Sequence, residues 1–177
     1  MSKSKKSEQW KDRLIEIKSL RAGDLLDHPL NPKIHPDGQK RPLEGLLSSV
    51  GKVDILRAYY SERNGGALTL WDGHCRRELR IDETWKVGIY DLTDAEADLL
   101  LATFDPIGWQ AEQSRQKLDD LLRDVSTSND ALFDFIEKQA EAAGIAPSDV
   151  EFKEYDESVE KEVKYNQCPN CGHKWPQ

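Results

Sequence analysis

Apolar residues recur along this chain with two periods, one typical of strands and one typical of helices. Alternating or β-rich runs predict four strands, at residues 14–17, 55–60, 67–71 and 84–91. In the last strand, Trp85, Val87 and Ile89 share one face. The turn residues 62–66 join the second and third strands into a predicted hairpin.

Helical spacing predicts five helices. Residues 43–50 carry leucine and valine at i, i+3, i+4 and i+7, and Gly51 is a suitable C-terminal stop. The other four helices are predicted over residues 75–81, 94–105, 118–125 and 129–144. The last two helices form a pair without an excess of basic residues, so we expect them to pack or dimerise rather than to read DNA.

The helix at residues 94–105 has the most specific boundaries. Thr93 with Glu96 three residues later is a capping box, which predicts the start of a helix. We expect the helix to end at Asp105-Pro106. Its apolar face is predicted to comprise Ala95, Leu99, Leu100, Leu101 and Ala102.

Composition separates a folded part from polar tails. The chain has 177 residues, of which 37% are hydrophobic and 33% charged, and residues 145–166 hold seven acidic side chains. We therefore expect a flexible basic start, a core domain, a helical extension, an acidic linker and a terminal knuckle, at residues 1–12, 13–108, 109–144, 145–166 and 167–177.

Charge and cysteine content narrow the setting. A net charge of −8 is unfavourable for a protein that binds nucleic acid on its own. The sequence has no long apolar run and no secretory signal, so we expect a cytoplasmic protein without a membrane span. Three cysteines, two of them at Cys168 and Cys171, favour a reducing compartment.

The candidate chemistry is concentrated at one junction, Trp71-Asp72-Gly73-His74-Cys75-Arg76-Arg77-Glu78-Leu79. A predicted strand ends there and a predicted helix begins, with glycine at the turn. A helix start offers unpaired N–H groups, and two arginines add positive charge, as in a phosphate-binding turn. A plain strand-to-helix turn with solvated arginines has the same pattern, so both interpretations stay open.

The same residues resemble the signature loop of the ParB/sulfiredoxin superfamily. Gly73-His74-Cys75-Arg76-Arg77-Glu78 is similar to Gly-Cys-His-Arg-aromatic-Glu of sulfiredoxins and to Gly-Glu-Arg-Arg of ParB proteins. Asn31-Pro32 and the hairpin before Gly73 resemble the flanks of that loop in phage and plasmid ParB-like N-terminal nuclease domains. The resemblance covers about residues 14–108. It implies an α+β fold, a small mixed sheet with packed helices, here followed by C-terminal helices and an acidic tail.

The resemblance also implies a function. Superfamily members hold nucleotide phosphates in this loop, which implies binding of ATP or CTP with Mg²⁺ by Gly73, His74, Cys75, Arg76 and Arg77. We expect an NTP-dependent hydrolase, phosphotransferase or switch in DNA metabolism, and a homodimer is compatible with it. Two alternatives stay open: a ParB-like DNA nuclease or DNA-binding module, and a non-catalytic adaptor for a DNA-processing partner.

Single side chains have competing roles. His74 stands where sulfiredoxins have their nucleophile, and it is predicted to bind phosphate or to act as acid or base. Asp72 either accepts a proton or metal or caps the loop. Cys75 is either a thiol with a lowered pKa or a small buried residue. By resemblance, Asp105 is a candidate Mg²⁺ ligand, or else it only ends a helix.

Two further groups of metal-binding residue types occur outside that junction. His28 and His35 lie in a proline-rich loop and are interpreted as turn residues, with His35 at most near the rim of the pocket. Cys168, Cys171 and His173 resemble one knuckle of a zinc ribbon. Because zinc normally takes four ligands, either two copies share the ion or the metal is absent.

Overall fold

The structure, a computed structural model, describes residues 10–145 and the backbone of two short paired strands, Tyr165–Gln167 and Lys174–Pro176. The predicted zinc knuckle at Cys168, Cys171 and His173 lies outside the described residues. Between residues 10 and 145 the chain divides into two compact units, residues 10–113 with 129–135, and residues 114–128 with 136–145.

The first unit is built on a mixed four-stranded sheet with the order β1-β4-β2-β3. The β2–β4 pair is parallel, and the β1–β4 and β2–β3 pairs are antiparallel. The α+β class with a small mixed sheet, predicted from the sequence, is confirmed. The strands are β1 (Leu14–Arg21), β2 (Leu56–Ser61), β3 (Ala67–Asp72) and β4 (Thr84–Tyr90).

Five α-helices accompany these strands in the described residues. The predicted first helix begins earlier than expected, at Asp37, and it contains Pro42 in its second turn. The apolar spacing that predicts this helix begins only at residue 43, and residues before a proline normally avoid the helical conformation, so the sequence gives no sign of the earlier start. The helices are α1 (Asp37–Val50), α2 (His74–Leu79), α3 (Asp94–Gly108), α4 (Arg115–Asp124) and α5 (Asp130–Ala142).

One face of the sheet forms the main core. Trp85, Val87 and Ile89 are all buried on it, as the alternation along β4 predicted. Leu47 of α1 packs against this face, and the turn after β1 adds Ala22 and Leu25. Burial of aliphatic and aromatic side chains of this size contributes about 2 kcal/mol each, so this face fixes the register of the strands.

The opposite face of the sheet is covered by α3. Thr93 and Glu96 form the predicted capping box, which is confirmed. The predicted apolar face is wrong in part, because Ala95, Leu99 and Ala102 are exposed while Ala97 and Leu101 are buried. Three consecutive leucines fit two neighbouring stripes equally well, and contact with Tyr59 and Trp71 selects the stripe that holds Ala97 and Leu100.

The end of α3 also differs from the prediction. The helix does not stop at Asp105-Pro106 but continues to Gly108, with Pro106 inside it. Proline removes the backbone N–H that would otherwise donate to the carbonyl of Ala102, so the last turn continues with one hydrogen bond fewer. The Trp109 N–H donates to the carbonyl oxygen of Asp105 at 2.9 Å and closes the last turn.

The second unit has its own small core. Leu122 of α4 and Ala140 of α5 are buried together with Ile145, and Leu118 and Ile136 pack against them. Ser114 caps α4 by accepting the Lys117 N–H at 3.5 Å.

Candidate functional site

Gly73 joins β3 to α2 and fixes the geometry of the candidate site. Its φ of +96° lies in the left-handed region, which residues with a side chain rarely adopt. A Cβ at this position would lie 2.7 Å from Leu56 Cδ2 and 3.3 Å from Arg76 Nη2. Both backbone conformation and space therefore require glycine.

The start of α2 leaves its first amides without a cap. Gly73 has no side chain to accept from them, and the first N–H groups of a helix have no acceptor within the helix. The helix is only six residues long, His74–Leu79, and so is shorter than the predicted residues 75–81. Its dipole alone is accordingly a weak attraction for an anion.

A cleft of about 420 Å³ opens at this junction. One wall is apolar and consists mainly of leucines of α1, Leu43, Leu46 and Leu47, with Val53 beside them. The other side is charged. Its charged members are Lys33, Asp54, Asp72, Arg76 and Asp105.

Two arginines and two aspartates form a closed ion-pair network at the charged side. Arg57 binds Asp72, and its second nitrogen lies 3.3 Å from Asp54. Arg76 binds Asp54, and its Nη2 lies 3.3 Å from Asp72 Oδ2. The four formal charges cancel, so the network is neutral as a whole.

Mutual ion pairs keep the members of this network charged, although burial disfavours their charged forms. Burial disfavours the charge of Asp54, but hydrogen bonds and charge from Arg76, with the N–H of Ile55 and the charge of Arg57, lower the pKa of its carboxyl. Burial likewise opposes the charge of Arg57, yet Asp72 and Asp54 raise the pKa of this guanidinium. Asp54 and Arg57 are therefore both ionised near neutral pH.

A second ion pair also lines the charged side of the cleft. Lys33, from the loop before α1, binds Asp105 near the end of α3. Each side chain is about one-third exposed, at 32% and 31%, so the pair is accessible to solvent. Asp105, predicted as a Mg²⁺ ligand or a helix end, thus lines the cleft from inside a helix.

The two predicted phosphate-binding arginines point in different directions. Arg76 lines the cleft, and only 13% of its side chain is exposed. Arg77 donates to Asp27 at 2.9 Å and to the carbonyl oxygen of Ala22 at 3.2 Å, and it does not line the cleft. The structure therefore brings together Asp72, Gly73, His74, Cys75 and Arg76, but not Arg77.

His74 lies at the base of the loop with 4% of its surface exposed. Its Nε2 accepts the backbone N–H of His28 at 3.4 Å, which requires that Nε2 carries no proton. Burial, only partly offset by Asp27, lowers the pKa of His74 to about 4. The ring is therefore neutral at physiological pH and holds the loop at residue 28 against α2.

Cys75 is buried beside His74, with 8% of its surface exposed. Burial, with a smaller effect of Glu78, raises the pKa of its thiol, so it is protonated near neutral pH. This environment favours the small buried residue over the activated thiol.

The two loop histidines make structural contacts. His28 is buried, and its Nδ1 accepts the Leu30 N–H at 3.2 Å. Its Nε2 is 3.3 Å from Asp98 Oδ1 but outside hydrogen-bond geometry, and burial lowers the pKa of the ring. Nδ1 of His35 lies 2.6 Å from Oε1 of Glu78. Both contacts fit the interpretation of these histidines as turn residues.

Arg57 and Asp54 were not found by sequence reasoning. The ladder of the β2–β3 hairpin pairs Ala58 with Leu70 but shifts by one residue before Arg57, which then pairs with Asp72. Extrapolation of the regular register would place Arg57 opposite Trp71 instead. No sequence signal marks such a bulge here.

The described residues contain neither a candidate metal cluster nor a candidate membrane span. Between residues 10 and 145, no group of three or more His, Cys, Asp or Glu side chains is placed to hold a metal ion. No helix in the same part of the chain is long and apolar enough to cross a membrane.

Comparison with solved structures finds chains of similar fold. The chain is similar to the C-terminally truncated chromosome-partitioning protein ParB from Caulobacter crescentus, complexed with CTP-gamma-S, with a TM-score of 0.48 and 14% identity. The superposition covers 76% of this chain and 74% of that chain. No protein-family model and no curated protein matches the sequence. The function must therefore be inferred from the cleft itself.

Proposed function

We propose that the cleft at Gly73 binds the phosphates of a nucleoside triphosphate together with Mg²⁺, and that the protein acts as a nucleotide-dependent switch in DNA metabolism. The observation that supports this most is the position of Gly73. Its left-handed turn bares the first amides of α2 at a 420 Å³ cleft, with the Arg76 guanidinium beside them. Amides and a guanidinium are the usual donors to phosphate oxygens.

The charge balance of the cleft favours a metal–nucleotide complex over a bare anion. Arg76 and Lys33 are each paired with carboxylates, so a phosphate alone would have to displace Asp54, Asp72 or Asp105. Mg²⁺ is usually bound by one or two carboxylates together with substrate phosphates. These residues therefore fit both parts of such a ligand, the carboxylates for the cation and the bases for the phosphates.

A switch is favoured over a hydrolase because the loop offers no free general base. Nε2 of His74 already accepts the His28 N–H, and the pKa of this ring is about 4. Asp72 is bound by two guanidiniums. A carboxylate oxygen held by two guanidiniums is poorly placed to orient an attacking water.

Calorimetric titration with ATP, CTP and GTP tests the proposal. We expect binding of at least one nucleotide in the presence of Mg²⁺ and weaker binding with EDTA. Arg76→Ala should weaken binding about 10- to 100-fold, the usual effect of losing a charged hydrogen bond. Arg80→Ala is the matched control, because Arg80 pairs with Glu44 and Glu83 outside this cleft.

The outcomes separate the remaining functions. Release of inorganic phosphate during the same incubation would show hydrolysis, and the protein would then be a hydrolase and not a switch. Nicking of a plasmid that is lost in Arg76→Ala would support the nuclease alternative. If the folded wild-type protein, checked by circular dichroism, gives no heat with any of the three nucleotides, nucleotide binding is contradicted. The non-catalytic adaptor then remains as the proposed function.

A further inference from the structure

One edge of the sheet is hydrogen-bonded to a neighbouring segment, and the other edge is open. At the β3 edge, the N–H of Leu26 donates to the Leu68 carbonyl at 2.9 Å, and the N–H of Leu70 donates to the Leu26 carbonyl at 2.8 Å. At the β1 edge, no other strand in the described part of the chain pairs with the outer side of the eight residues Leu14–Arg21. Long uncovered edges recruit further strands unless they are blocked.

Most side chains of β1 are exposed to solvent, as its backbone edge is. Ile15 and Ile17 are 57% and 54% exposed, although an isoleucine side chain in a strand is normally half-buried against its neighbours. The residue beside Ile17 on β4 is Gly88, which has no side chain to pack against it. An apolar side chain is therefore left at the middle of an open strand.

We propose that two copies of this chain join through β1 as an antiparallel pair centred on Ile17, so that the two sheets become one. A twofold axis at Ile17 brings the two Ile17 side chains together and places Glu16 of each copy opposite Lys18 of the other. Within one copy, Glu16 and Lys18 lie on the same face with Oε1 and Nζ 2.6 Å apart, and somewhat less than half of each side chain is exposed. They are free to exchange partners across a new ladder.

Other registers are less favourable. A shift by one residue pairs Ile17 with a charged side chain and moves every side chain to the opposite face. A shift by two residues places Lys18 opposite Lys18 or Glu16 opposite Glu16, which are like charges directly across a ladder. The sequence Glu16-Ile17-Lys18 thus matches itself in one antiparallel register only.

Mixing of charge-reversed variants tests the register. Sedimentation equilibrium of the full chain should give about twice the 20.2 kDa chain mass, falling towards 20.2 kDa on dilution. Glu16→Lys alone and Lys18→Glu alone should each lose the dimer, because their copies repel each other. An equimolar mixture of the two should recover it, since two lysines of one copy then face two glutamates of the other. Glu62→Lys, the same charge change at the β2–β3 turn, should remain dimeric.

Hydrogen exchange adds a measurement that does not depend on variants. Alternate amides of β1 should gain protection as the protein concentration rises, at least tenfold between monomer and dimer conditions. A wild-type chain that stays at 20.2 kDa, single variants that dimerise normally, or a mixture that stays monomeric would overturn the proposal. Full protection of β1 in the monomer would also overturn it, because a segment of the same chain would then occupy the edge.

Discussion

Replacement of Gly73 by alanine tests how tightly the loop is built. The structure gives two separate costs for Gly73→Ala. An alanine at φ +96° is strained by about 1–2 kcal/mol. Its Cβ would also lie 2.7 Å from Leu56 Cδ2, and overpacking in a buried region costs about 1–3 kcal/mol. We therefore expect Gly73→Ala to lower the free energy of unfolding by about 2–5 kcal/mol.

A matched control separates the two costs. Gly66 has a similar φ of +81°, and a Cβ there would meet no atom within 4 Å. Gly66→Ala should therefore cost only the backbone strain, about 1–2 kcal/mol. The difference between the two alanine variants measures the steric contacts at Gly73, the tighter one with Leu56 and a weaker one with Arg76 Nη2.

Leu56→Val provides a second separation, because valine has no Cδ atom. Leu56 is fully buried, and loss of one methylene from the core should cost about 1 kcal/mol. In this background, Gly73→Ala should cost clearly less than in the wild type, and only the 3.3 Å contact with Arg76 Nη2 should keep it above Gly66→Ala. Urea unfolding followed by circular dichroism gives all four values, from midpoints at unchanged slope. Equal costs for the two glycines in the wild-type background, or strict additivity of Gly73→Ala with Leu56→Val, would refute the steric argument.

Three further predictions concern protonation, capping and the second arginine. The folded pKa of His74, about 4, lies below its ordinary 6.5, so the unfolded chain binds the extra proton. The free energy of unfolding should thus fall as pH drops from about 6.5 to 4, by up to about 3 kcal/mol, and His74→Gln should flatten this slope in urea titrations. Thr93→Ala should cost about 1 kcal/mol through loss of the capping box, and Thr103→Ala, which loses only a bond to the Leu99 carbonyl, should cost less in the same assay. Arg77→Ala should lower stability but leave nucleotide affinity within twofold in calorimetry, because Arg77 binds Asp27 and Ala22 away from the cleft. A large loss of affinity would instead restore Arg77 as a phosphate ligand.

Local rules predicted those elements whose cause lies in neighbouring residues. The capping box at Thr93, the stop at Gly51 and the buried side of β4 all follow from side chains within a few positions. The strand–glycine–helix junction at Gly73 is of the same kind, because the turn itself requires glycine. The sequence therefore predicted the strand-to-helix junction at Gly73, while the binding site itself and the roles of its residues stay a prediction.

What the sequence did not reveal depends on tertiary contacts. The buried stripe of α3 is selected by Tyr59 and Trp71, which lie far away in the chain. The pairing of Arg57 with Asp72 depends on a bulge in the β2–β3 ladder. The different directions of Arg76 and Arg77 follow from carboxylates at positions 54 and 27, on separate segments. Because Arg76 and Arg77 are adjacent in the motif, the sequence alone does not distinguish their environments.

The closed ring of Arg57, Asp54, Arg76 and Asp72 has a consequence for how affinity responds to electrolyte. An open basic surface releases condensed small ions when it meets a polyanion, and its affinity falls steeply with added potassium chloride. Here each guanidinium is already neutralised by a carboxylate of the same chain, so a ligand exchanges partners and displaces few mobile ions. A nearly flat dependence on potassium chloride would therefore distinguish this cleft from a nucleic-acid-binding surface.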